Sequence, residues 1–262
     1  MIRSSSLADR CFMALCAAGS LALVLGFAPS APMRGASDGG DAMQRADRFF
    51  AARKYDDALT VYSALSRANP HNGTARRMAG ECGVMLGEAA PKDKQLAAFK
   101  TAESVLRDAI RLNPRDGAAH YWLARCLGQE ALFVGVWKSI PIGKEVKTHV
   151  DLAIQYDPSL DGAYHVRARW NREVTEKPKF ARVPLGLGDA DLKAGYKDIQ
   201  EALELNPHHL NHHIEMARYQ IRFKKLDEAR EWLTRGLNDT QMDDPEKRPE
   251  AEALLATLNK GK

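Results

Sequence analysis

Four prolines divide this chain at nearly equal intervals. Pro70, Pro114, Pro158 and Pro207 lie 44, 44 and 49 residues apart, and each closes a similar phrase: ALTVYSALSRANP, AESVLRDAIRLNP, VKTHVDLAIQYDP and YKDIQEALELNP. An internal repeat of this length cannot bury its apolar face alone. It must stack on its neighbours, which favours a binding or scaffolding array over a compact enzyme. Counting back 12, 8 and 5 residues from each proline gives Ala58, Tyr62 and Leu65; Ala102, Leu106 and Ala109; Val146, Val150 and Ala153; and Gly195, Ile199 and Ala202. Steps of four and three keep each set on one helix face, and the small members allow close helix contact. Asn or Asp followed by proline ends the helix.

After each proline a second kind of helix starts near Asn72, Asp116, Asp161 and, less clearly, Asn211, and carries a small residue: Gly80, Ala124, Ala168 or Ala217. The pattern predicts five helix pairs over residues 42–69, 73–112, 117–156, 161–205 and 210–238, with a final helix over 246–259 as the polar cap that an array end needs. The expected fold is therefore all-α, a superhelical solenoid.

This resembles the tetratricopeptide (TPR) pattern, in which two antiparallel helices recur every 34 residues or so. The first and last units fit that length, while the middle three exceed it by 10, 10 and 15 residues. The surplus falls between the two helices of each pair, at about 87–96, 131–143 and 171–189, so an inserted loop or helix extension emerges at the same end of three successive units. That shared rim is the best partner surface the sequence offers. A narrower likeness lies in the YWLA helix, the IPIGKEV connection and AIQYDPSLDGAYHV followed by ARW. Over roughly residues 75–258 the chain resembles bacterial TPR relatives of the regulator of microtubule dynamics family. The resemblance implies a helical TPR-like array with a protein-interaction or scaffolding role and no catalytic motif. The microtubule role of animal relatives does not carry over to an exported chain. Exported TPR components of solute uptake systems are a related comparison and supply the alternative reading, a small bound ligand.

Export is expected from the first residues. Arg3 and Arg10 precede a charge-free stretch over 11–27, then APSAP and a Gly/Ser-rich patch. This is the order of a secretory leader, with a cut after Ser30. The alternative is an uncleaved anchor, since seventeen residues is the lower limit of a membrane span. The expected organisation is a leader or anchor over 1–30, a linker over 31–41 and the repeat domain over 42–259, located in the periplasm, secreted or membrane-anchored. The net charge of +4 is modest and the charges are interspersed, as in KKLDEAREWLTR, which argues against nucleic acid. A protein or peptide partner is expected, with a small ligand or a second copy of the chain as alternatives.

No serine–histidine–aspartate order, paired acid and base or HExxH is present, and GLGDAD lacks the rest of a phosphate loop. No catalytic, cofactor or metal site is expected. The histidines of NPHHLNHH pair four apart, His208 with His212 and His209 with His213, but no cysteine nearby completes a zinc site, so they read as helix-start or interface residues. Cys82 and Cys126, one repeat apart, read as small core residues, with a disulfide as the alternative. For partner binding the candidates are His120, Tyr121, Trp122, His165 and Arg169 on the post-proline helices. Trp137, Lys138, Trp170, Arg172 and Phe180 join them from the inserted rim. For Trp122 the competing reading is a core filler between units. For the rim aromatics it is a segment tucked over the array.

Overall fold

The computed structural model describes residues 35–260; the expected leader lies outside them. The described residues form α1 (Gly35–Ala51), α2 (Tyr55–Ala68), α3 (Gly73–Ala89), α4 (Lys92–Leu112), α5 (Gly117–Ala131), α6 (Val136–Tyr156), α7 (Asp161–Val174), the single turn α8 (Lys179–Arg182), α9 (Leu192–Leu205), α10 (Leu210–Arg222) and α11 (Leu226–Leu237). A 3-10 turn (Pro245–Lys247) then leads into α12 (Arg248–Lys260). The pairs are α1/α2, α3/α4, α5/α6, α7/α9 and α10/α11, with α12 packed as a cap on the last pair. This is a TPR-like solenoid of paired helices. The first helix starts at Gly35, seven residues earlier than its apolar pattern begins. Among the described residues no helix is long and apolar enough to cross a membrane.

One turn is built four times. Asn69, Asn113, Asp157 and Asn206 each follow a second helix with φ between −131° and −145° and ψ between 88° and 95°. The proline that follows excludes the helical region for them. Each donates its amide to the carbonyl four residues back, at 2.9–3.0 Å. Its side-chain oxygen accepts from the amide two residues on: His71, Arg115, Ser159 and His208, at 3.0–3.3 Å. These Asx-turns carry the chain across the proline into the next unit. The fifth unit has no closing proline, yet Asp239 makes the same bond to the Gln241 amide at 2.8 Å.

The extra length of the middle units is spent in two ways. In the second and third pairs it is helix: α3 and α4 run 17 and 21 residues, and α6 runs 21. Pro141 lies within α6, so the Trp137 carbonyl loses its partner four residues on, and the first turn of α6 is held loosely. In the fourth pair the surplus is an irregular connection with α8 at its start. Arg182 organises it, donating from Nη1 to the carbonyls of Ala190, Leu187 and Gly188 at 2.7, 3.1 and 3.3 Å. The two units without surplus share a tight turn in which Arg53 and Lys224 take positive φ, 56° and 62°.

All twelve residues counted back from the prolines are buried. The closest approach is at Gly195, where an added Cβ would lie 2.6 Å from Asn171 Cβ and run into the Tyr219 hydroxyl. Tyr219 uses that space to donate to the Ala168 carbonyl at 2.7 Å, tying three helices together. Cys82 and Cys126 are buried free thiols in separate parts of the core. Burial pushes the Cys82 thiol up to about 12 and that of Cys126 higher still, so both are inert hydrophobes.

Between the fourth and fifth pairs the core holds a charge pair. Arg172 donates to both carboxylate oxygens of Glu215, at 2.6 and 3.2 Å, and Glu215 is fully buried. Removing Arg172 leaves Glu215 in a dry interior with only the longer contact to Arg218 at 3.6 Å. Arg172→Met is therefore expected to destabilise the domain by about 3–5 kcal/mol in denaturant unfolding, and Arg172→Met/Glu215→Leu to recover most of the loss.

Candidate functional site: the enclosed concave face

The first helices of successive pairs touch one another directly, α3 with α5, α5 with α7 and α7 with α10, which puts them on the inner side of the superhelix. The array curves far enough to meet itself. Arg53, in the α1–α2 turn, pairs with Glu246 at 2.6 Å and also donates to the Asp243 carbonyl. The first unit thereby touches the segment that precedes the cap. The concave face becomes a partly enclosed cavity of about 870 Å³.

The side chains on its wall follow from the repeat. Tyr121, Trp122 and Arg125 come from α5, and His165, Arg169 and Trp170 from α7. Tyr121 lies against Gly162, whose missing side chain leaves room for the ring at the start of α7. Trp122 is mostly core, with Arg125 over its ring at 4.8 Å. Trp170 is also buried and donates from Nε1 to the Gly143 carbonyl at 2.7 Å, which seats the rim segment of α6 on α7. Trp137, by contrast, is 80% exposed and stands at the mouth of the cavity on the loosened first turn of α6.

The remaining candidates fall elsewhere. Lys138 is exposed beside Trp137, and Phe180 is 82% exposed on α8; neither lines the cavity. Arg172 is committed to Glu215 in the interior. His120 is buried on the far side of α5, stacked on His149 with ring centroids 5.1 Å apart. Its Nε2 lies 3.0 Å from the Pro114 carbonyl, which only accepts, so Nε2 carries the proton and Nδ1 accepts from His149 Nδ1 at 2.8 Å. Burial lowers the His149 pKa to about 4. The structure thus groups Tyr121, Trp122, Trp137, His165, Arg169 and Trp170 around one cavity and separates Lys138, Phe180, Arg172 and His120 from it.

The wall is charged but internally balanced. Arg125 forms a two-point pair with Glu88 at 2.7 and 2.9 Å, Arg169 pairs with Glu173 at 2.7 Å, and Arg218 with Glu250 at 2.6 Å. The Arg125 pair reaches back one unit and the Arg218 pair reaches forward to the cap, so both stitch the array as well as lining it. Burial of Glu88 is overcome by Arg125, and its carboxyl sits below the usual range. Glu81 behaves oppositely: burial dominates, and its carboxyl is pushed up to about 7 despite Arg77 at 3.1 Å.

The histidine run is split. His213 reaches back from Nε2 to the Pro207 carbonyl at 2.8 Å, as His120 does to Pro114. His208 pairs with Asp239 at 2.8 Å. The rings that meet are His209 and His212, three apart, with centroids 4.4 Å apart. They come together with Asp161 and with the Asp243–Asp244 segment. That grouping escaped the local pattern because its members belong to three segments. Its one trace in the sequence is at the helix starts. Asn72 and Asp116 cap α3 and α5, each accepting from the third amide at 2.9 and 3.0 Å. Leu160 and His209 hold the corresponding places before α7 and α10 and make no such bond, so Asp161 is the first helical residue and Asn211 the second, rather than caps.

Comparison with known proteins agrees with this architecture. The sequence model of one family, regulator of microtubule dynamics protein 1–3, matches residues 42–259. Bovine (Bos taurus) regulator of microtubule dynamics protein 1 is 26% identical over 99 residues, which is 38% of this chain and 31% of that protein. The match therefore spans about a third of the curated relative. Among solved structures, a thermophilic TPR protein of Thermus thermophilus superposes with a TM-score of 0.56 at 17% identity, covering 84% of this chain and 98% of that one. Yeast Tom70 gives 0.51 at 14% identity over 84% of this chain and 40% of its own. These likenesses show the fold.

The raised Glu81 pKa makes stability depend on pH. The folded state disfavours the carboxylate, so the stability associated with this group is fully present below the ordinary carboxylate range, near 4.5, and is lost as pH rises through about 7. Glu81→Gln should flatten this dependence. Melting temperatures at pH 5 and pH 8 check it: the drop between them is expected to be smaller in the variant.

Proposed function

The chain belongs to the regulator of microtubule dynamics protein 1–3 family, and on that footing we propose that it is a non-catalytic interaction scaffold whose cavity holds a short segment of a partner protein. The observation that supports this most is the enclosed concave face of about 870 Å³, walled by first helices and bordered by an exposed tryptophan. A space of that size takes a short peptide stretch and excludes a folded domain. Its arginine–glutamate pairs bring both donors and acceptors to the wall, which suits a peptide backbone. Arg53, Arg125, Arg169 and Arg218 on the wall are each paired with a glutamate, which lowers their preference for an anion. The volume also lies in the range of small-ligand sites, roughly 300–1,000 Å³, which favours a small solute as the second reading. The leader-like sequence supports a place in the cell envelope for either activity.

Native mass spectrometry of the protein purified from its own host tests these together. A co-purifying peptide supports the first reading, and a single small molecule supports the second. A mature chain beginning after Ser30 supports export by a cleaved leader, and an intact Met1 terminus sinks it. Trp137 is mostly exposed, so Trp137→Ala is expected to keep the helicity and melting temperature while weakening peptide capture severalfold. Unchanged capture would remove Trp137 from the site.

A further inference from the structure

A second site lies at the edge of the cavity, where α7 and α10 begin. Asp161, His209 and His212 each bring a ligand-type atom to one place, all within 4.8 Å of one another. His212 Nε2 lies 2.9 Å from Asp161 Oδ2. His209 Nδ1 lies 2.7 Å from Asp244 Oδ2, in contact but without the alignment of a hydrogen bond, and that nitrogen is sealed from solvent. We propose that Asp161, His209 and His212 bind one divalent transition-metal ion, with zinc as the reference ion, and that Asp244 and His165 hold the ligands in place from behind.

Two imidazoles and a carboxylate form a ligand set that zinc and its neighbours accept, and three protein ligands leave a fourth position for water or a bound group. Zinc–ligand distances of about 2.0–2.1 Å put neighbouring ligand atoms about 3.3 Å apart in a tetrahedron. The Asp161–His212 contact is within half an ångström of that, so the pair opens slightly and does not need rebuilding. The supports are in place. Asp244 is buried and anchored by the amides of Leu210 and Asn211, at 2.5 and 2.9 Å, which it caps in place of a local residue. His165 Nδ1 lies 3.1 Å from His212 Nδ1. An ion at His212 Nε2 leaves the imidazole proton on Nδ1, and a His165 ring protonated on Nε2, beside the Asn211 side-chain amide at 3.4 Å, accepts the hydrogen bond from it. This is the outer partner that metal-bound histidines commonly have.

The charge balance points the same way. Two helix N-termini meet here, each worth about +0.5 of a charge, which by themselves repel a cation. Asp161 and Asp244 supply two negative charges and Asp243, 3.8 Å from His209, a third, so the carboxylates outweigh the two N-termini. The first helices α3 and α5, with ordinary caps, have no such excess. The departure from the repeat's capping pattern therefore coincides with the place where two histidines face a carboxylate from another unit.

The test uses untagged protein stripped with chelator, titrated with Zn²⁺ by calorimetry and with Co²⁺ by visible absorption. One ion per chain and the intense bands of four-coordinate Co²⁺ are expected. Asp161→Asn, a near-isosteric change at a half-buried position, should weaken binding more than tenfold, as should His209→Ala, with metal-free melting showing that each is folded. If His209→Ala fails to fold, Asp161→Asn decides alone. Absence of saturable binding overturns the proposal, and so does binding that Asp161→Asn leaves unchanged, which would put the ion elsewhere. Neither readout involves peptide capture at Trp137.

Discussion

The amide and side chain of the residue before each repeat proline hold this architecture in register. One residue closes the second helix with its amide and opens the next unit with its side chain, while the proline denies it any helical alternative. Its φ and ψ agree within 14° and 7° across four units. Each new first helix therefore leaves at nearly the same angle, and curvature accumulates in one direction. The concave wall, the position of Tyr121 against Gly162 and the meeting of the two ends are all downstream of that repeated turn.

Much of this was legible in the sequence because the repeat states it several times. The twelve positions counted from the prolines are all buried, and the five pairs and the cap lie where the pattern puts them. The inserted lengths were located but not their form. A helical extension and a loop can absorb the same surplus, and only the connection around Arg182 is mostly irregular. The candidate site was legible in part. Tyr121 and Trp137 face or border the cavity, but Trp122 and Trp170 serve the core first. His120 faces away because its ring is needed to hold the Pro114 carbonyl. An aromatic at the start of a first helix is available to either side, and the choice depends on the next unit's residues, which local spacing does not encode.

The non-local groups were the least visible. Asp161 meets His212 across 51 residues, and Asp244 caps a helix that begins more than thirty residues before it. Such pairings have no period. They show up only as places where the repeat omits something it elsewhere supplies, such as a cap residue before α7 and α10. In a repeat protein an omission of this kind carries as much information as a motif does in a single-copy fold, because the other units show what the position would otherwise hold.

Both side chains of the contact between Arg53 and Glu246 are nearly half exposed, and exposed ion pairs of this kind contribute about 0–1 kcal/mol. At that strength the ion pair by itself favours contact over separation by no more than about five to one. The pair is thus a weak clasp on a face that the repeated turn already curves. Because the clasp is ionic and wet, ambient salt weakens it further while leaving the turns that curve the array untouched.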